Sequence, residues 1–142
     1  MLCVVVLDEQ SEHAVDRDRF AALAENCLVD RDVHDGELNL IFVDIPTMTG
    51  LNLEHMREPG PTDVLSFPID AGEGAETVET GPVLLGDIVI CPDVAARQAN
   101  ERAVSFDDEV ALLVVHGVLH ILGYDHADPV DASEMQGAER DL

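Results

Sequence analysis

From Phe106 to Leu122 the chain is almost continuously apolar, and this stretch constrains the fold more than any other. Ser105, with Asp108 three residues on, resembles a capping box that opens a helix there, and Gly123 is a good terminator for it. A helix this apolar must be covered on several sides, so the rest of the chain has to supply a sheet. The candidates are short β-branched runs: Cys3 to Leu7, Leu38 to Val43 (stopped near Pro46), Asp63 to Phe67, and Leu84 to Cys91. Between them, Val15 to Leu28, Thr47 to Met56 and Asp93 to Arg102 carry helical patterns, the second closed by the breaker Glu58-Pro59-Gly60-Pro61. Residues 70–82 read as an exposed acidic loop, and Asp128-Pro129 starts a last amphipathic helix. No repeat or linker divides the 142 residues, which form one domain over 1–142. The expected class is α+β, a roughly four-stranded mixed sheet covered by about five helices.

The apolar helix also carries the chemistry. His116 and His120 are four apart and stand one above the other on a helix face, offering two imidazoles to one ion. A turn at Gly123 brings His126 within reach as a third ligand. Three protein ligands with a vacant fourth position describe a catalytic zinc site, whereas structural zinc is usually closed by four. Imidazole suits zinc without excluding nickel, copper or iron. A lone histidine in a core is usually just hydrogen-bonded, but this spacing arises by chance only on the order of once in a hundred such chains. The pattern matches the metzincin protease signature except that Gly117 replaces the glutamate serving there as general base. That demotes peptide cleavage, whose poor amine leaving group needs a proton donor.

Thirty acidic residues against seven basic ones, all arginine, give a formal charge of −23. Such a surface repels polyanions at long range and carries no basic nucleic-acid footprint. It fits a basic protein partner or a salty habitat. Cys3, Cys27 and Cys91 are odd in number and far apart, so no disulfide framework is expected. No segment approaches the length of a membrane span or a signal sequence, and the expected compartment is cytoplasmic.

His116-Gly117-Val118-Leu119-His120-Ile121-Leu122-Gly123-Tyr124-Asp125-His126 resembles the signature of the YbeY family, bacterial endoribonucleases of rRNA maturation. Pro61-Thr62-Asp63-Val64-Leu65-Ser66-Phe67-Pro68 and Gly86-Asp87-Ile88-Val89-Ile90 resemble two further family segments in the same order, and the likeness covers nearly the whole chain. The resemblance implies a mixed sheet with helices and one Zn²⁺ per chain on His116, His120 and His126. It also implies a single-strand endoribonuclease acting in 16S rRNA 3′-end maturation and ribosome quality control. Family members commonly carry an arginine before the Pro-Thr-Asp segment; counting back from Pro61, that slot is Met56 here, with Arg57 beside it. One residue on a helix is about 100° of rotation, so Arg57 reaches the cleft only if the backbone shifts; otherwise it is a solvated arginine at a helix C-terminus.

The resulting expectation is a phosphodiesterase in which zinc and Arg57 stabilise phosphoryl charge, with either water or the ribose 2′-OH as nucleophile. The expected partners are rRNA within the small ribosomal subunit and a basic ribosomal protein. Two rivals stand beside it: a zinc hydrolase or metalloprotease on a non-nucleic substrate, and a ribosome-assembly binding protein with structural zinc. Asp125 is expected to support a histidine or cap the turn, and Ser66 and Asp63 to be structural. Cys91 is expected to be a small buried residue, and His13, His34 and His55 surface histidines.

Overall fold

The computed structural model describes residues 1–69 and 83–123. Four strands form one sheet: β1 (Leu2–Asp8), β2 (Gly36–Phe42), β3 (Val64–Pro68) and β4 (Leu84–Ile90). Their order is β1-β2-β4-β3, with β1, β2 and β4 parallel and β3 antiparallel to β4. Four α-helices are described: α1 (Arg17–Asp30), α2 (Ile45–Leu51), α3 (Pro92–Arg102) and α4 (Phe106–Ile121). The mixed sheet and α+β class agree with the sequence reading. The expected acidic loop and the final helix from Asp128 lie outside the described residues.

Alternation along β2 shows how the layers form. Leu38, Leu40 and Phe42 are buried on one face while Glu37, Asn39 and Ile41 turn to the other. The first face, with Ile88 and Ile90 of β4, packs against α1 (Phe20, Ala24, Leu28) and α4 (Val110, Val114, Val118) to make the main core. On the second face, Met48 of α2 joins Leu65, Val89 and Cys91 in a smaller cluster. Each fully buried Leu, Ile or Phe contributes about 1.5–3 kcal/mol relative to exposure, so the two-faced burial fixes the register.

The helix starts follow from their caps. Asp16 accepts from the Arg19 amide at 3.1 Å, and the Ser105 hydroxyl oxygen accepts from the Asp108 amide at 3.0 Å. One boundary needs correction. Pro46 does not merely stop β2: it sits in the first turn of α2, where its missing N–H costs nothing, and Asp44 caps the helix by accepting from the Thr47 amide at 2.9 Å. Hydrogen bonding from the Thr47 side chain, and then from its amide, holds the Asp44 carboxyl below the usual range.

All three cysteines are free, Cys3 exposed and the other two buried. Burial, with a lesser push from Asp30, raises the Cys27 thiol from 9.0 to about 11. Because the folded value lies above the unfolded one, this contribution is intact below pH 9 and lost as pH rises towards 11. Urea unfolding across that window should show a loss of about 2–3 kcal/mol, a slope that Cys27→Ala removes. An identical slope in that variant would assign the effect to other groups.

Candidate metal centre

The site is built on α4, and α4 is held by two contacts made possible by small residues. Gly117 faces β4 so closely that a Cβ there would stand 2.6 Å from Cγ2 of Ile88, a fully buried side chain with nowhere to go. On the edge strand β3, the Ser66 hydroxyl donates to the Gly117 carbonyl at 3.3 Å. These contacts fix both the height and the rotation of the helix.

With Gly117 turned to the sheet, His116 and His120 share another stripe of α4, one half-buried and one exposed. Their i, i+4 spacing brings the Cβ atoms to about 5–6 Å, suitable for two imidazoles on one ion. The helix ends after Ile121, and Gly123 follows at φ +93°, a conformation glycine adopts without penalty. His126 and Asp125 lie outside the described residues. Among the described residues no three His, Cys, Asp or Glu side chains gather closely enough to hold a metal. The described part thus supplies two imidazole side chains on a rigid support, a donor set that fits zinc when a third ligand joins.

Two carboxylates, Asp87 and Glu109, are committed elsewhere. Asp87 accepts from the Asn39 side-chain amide at 2.9 Å, and strand alternation puts both on the sheet face away from α4, since neighbouring Ile88 meets Gly117. Glu109 lies two helical turns before His116, about 10 Å along the axis. It is 2% exposed, with one oxygen 3.2 Å from Nη1 of Arg102 and the other hydrogen-bonded to the same nitrogen at 3.3 Å. Neither supplies the base that metzincins place after their first histidine, and position 117 itself points into the core.

Arg57 belongs to a different element. α2 widens at its end into a π-helical turn, Asn52–Met56, closed by the Arg57 amide bonding back to Asn52 and Leu53. Arg57 itself is left-handed at φ 56°. A π turn takes in one residue more than an α turn, and Arg57 follows it as the left-handed cap residue. Buried Asn52 then donates to the Gly60 carbonyl at 2.9 Å and ties the following loop down. Arg57 is exposed and makes no side-chain hydrogen bond or ion pair with a described residue, the histidines included. Other arginines are engaged: Arg19 with Asp107 and Asp108, Arg97 with Asp93, Arg102 with Glu109, Arg17 with the Val6 carbonyl. The structure brings His116 and His120 together. It sets the π turn on the opposite face of the same edge strand, where His55 meets Phe67 edge-on at 4.9 Å.

The chain is similar over residues 5–142 to the family model described as endoribonuclease YbeY. The chain belongs to the YbeY family. Relatives named endoribonuclease YbeY include one from Beutenbergia cavernae, 47% identical across 96% of this chain and 92% of that protein. Another, from Thermobifida fusca, is 46% identical across 96% of this chain and 90% of that protein. A solution structure of a Thermotoga maritima protein aligns with a TM-score of 0.64 at 24% identity, covering 97% of this chain and 85% of that one, which supports the fold.

The remaining YbeY-like segments are structural, as read from sequence. Asp63 accepts from the Val64 amide at 2.8 Å, and Ser66 tethers α4. Cys91 is fully buried under α2, and burial raises its thiol pKa. His34 is an exposed partner of Asp32, as expected. His13 is not a free surface residue: it stacks on Phe106 at 5.4 Å and meets Asp93 at 3.1 Å, linking three segments that no local pattern connects. Among the described residues no helix is long and apolar enough to cross a membrane.

Proposed function

We propose that this chain is a zinc-dependent single-strand endoribonuclease that matures the 3′ end of 16S rRNA within small ribosomal subunits and serves their quality control. The observation that carries the reading is the pair His116 and His120 on one stripe of a helix whose rotation is locked by Gly117 and Ser66. His126, at the family's third ligand position, would complete the set. Bound zinc would polarise the scissile phosphodiester and offset charge developing on its oxygens. Arg57 would bind the phosphate: it is exposed and makes no side-chain hydrogen bond or ion pair with a described residue. Its planar donors suit phosphate oxygens better than a lysine ammonium does. Histidine ligands would leave the charge of a bound zinc uncompensated, which favours an anionic substrate there.

The acidic shell repels free RNA, so the substrate is delivered within the subunit by a basic ribosomal protein in the cytoplasm. The test is cleavage of precursor rRNA in assembled small subunits and as naked RNA, with wild type beside Arg57→Ala. Wild type should cut the assembled substrate preferentially. Arg57→Ala should cut about a hundredfold more slowly with its metal content unchanged. Wild-type inertness on both RNAs would overturn the nuclease reading, and an unimpaired Arg57→Ala would remove Arg57 from the mechanism.

A further inference from the structure

We propose that the outer edge of β1 takes up an extended polypeptide segment of alternating basic and apolar residues as an added strand of the sheet. Among the described residues β1 ends the sheet, paired only with β2. Backbone bonds fix which groups face outwards. Met1 accepts from the Gly36 amide and the Glu9 amide bonds to Phe42, so odd-numbered residues address β2. Even-numbered Val4 and Val6 therefore turn N–H and C=O to the open edge, where the Val6 carbonyl accepts from Arg17 at 3.4 Å. Protein sheets normally blunt such an edge with proline, lysine or a bulge. Between Leu2 and Leu7 there is no charged residue and no proline, and the β1–β2 register runs without a break.

The chemistry of the occupant follows from what flanks the edge. A groove runs along it between Val4 and Val6 on one side and Val15, Asp16, Arg17, Asp18 and Ala21 on the other, its two carboxylates outnumbering the one arginine, which is bonded to the Val6 carbonyl. An added strand alternates its side chains between the two faces of the sheet. Those on the α1 side enter this groove and meet the exposed carboxylates of Asp16 and Asp18, which select arginine or lysine. Those on the other face lie beside exposed Cys3 and Leu7 and half-buried Val5, which select apolar residues. Main-chain bonds supply affinity and the alternate side chains supply specificity, as in other strand additions. The edge and its charge stand apart from the nuclease chemistry, so either can fail without the other.

The experiment measures amide hydrogen exchange in the full chain with a short peptide alternating arginine and valine. Its control is a twin N-methylated throughout, with the same charge and no backbone donors. The first peptide should slow exchange at Val4 and Val6 by about tenfold or more, and the twin should bind about tenfold less tightly without slowing them. Asp18→Arg should weaken the first peptide while leaving free-state exchange in β2 and β4 unchanged. Equal binding of the two peptides would reduce the interaction to charge attraction and overturn the proposal. So would Val4 and Val6 amides that are already slow before peptide is added.

Discussion

Substituting alanine for His116 should empty the metal centre and lower rRNA cleavage by at least about a thousandfold while the protein stays folded. The side chain is half-buried on a stripe of α4 that does not carry the main core contacts; those come from Val110, Val114 and Val118. Removing it should therefore cost little stability, but it leaves His120 without its partner one turn away. His120→Ala should behave the same way. His34→Ala, at an exposed histidine bonded to Asp32, should change neither metal content nor cleavage. Zinc bound per chain, circular dichroism and cleavage measured on one preparation separate the outcomes. A His116→Ala variant that keeps full zinc and full activity would refute the ligand assignment.

The second large effect concerns Gly117. Gly117→Glu restores the metzincin pattern on paper, yet it should destabilise the protein by several kcal/mol and confer no peptidase activity. The Cβ alone would meet Ile88 at 2.6 Å, and the carboxylate beyond it would be forced into the core between α4 and β4. Chemical denaturation should show the midpoint collapse; Gly117→Ala should lie between the two, since it adds only the clash. A stable Gly117→Glu protein that cleaves peptides would mean that position 117 faces the metal after all. The glycine is thus a packing requirement, and the absence of a neighbouring base is its chemical consequence.

Much of this was legible in the sequence. The apolar run with Ser105 and Gly123 at its ends identified α4, and the four β-branched runs identified the strands, because burial patterns and caps are local signals. What sequence left open depends on partners far apart in the chain. Ser66 and Gly117, Asn39 and Asp87, and His13 with Asp93 and Phe106 meet only in the folded state. The buried pairing of Glu109 with Arg102 is of this kind too, since a glutamate in a first helical turn normally faces water. The π turn before Arg57 was hidden for another reason. Its residues, Asn52–Met56, are ordinary helix formers, and nothing in their types distinguishes a widened turn from an α turn.

The order of the strands has a consequence for when the protein can act. β4 must slot between β2 and the earlier-made β3, and α4 is seated only once both strands are in place, through Gly117 on one and Ser66 on the other. Non-local pairings of this kind form slowly. During synthesis, a chain that has emerged only as far as β3 has three strands, of which only β1 and β2 can pair, and no seat for the histidine helix. In the proposed nuclease, competence would therefore arrive late, and only in a chain translated through the histidines of α4. A truncated product would leave the ribosome inert towards the RNA beside it.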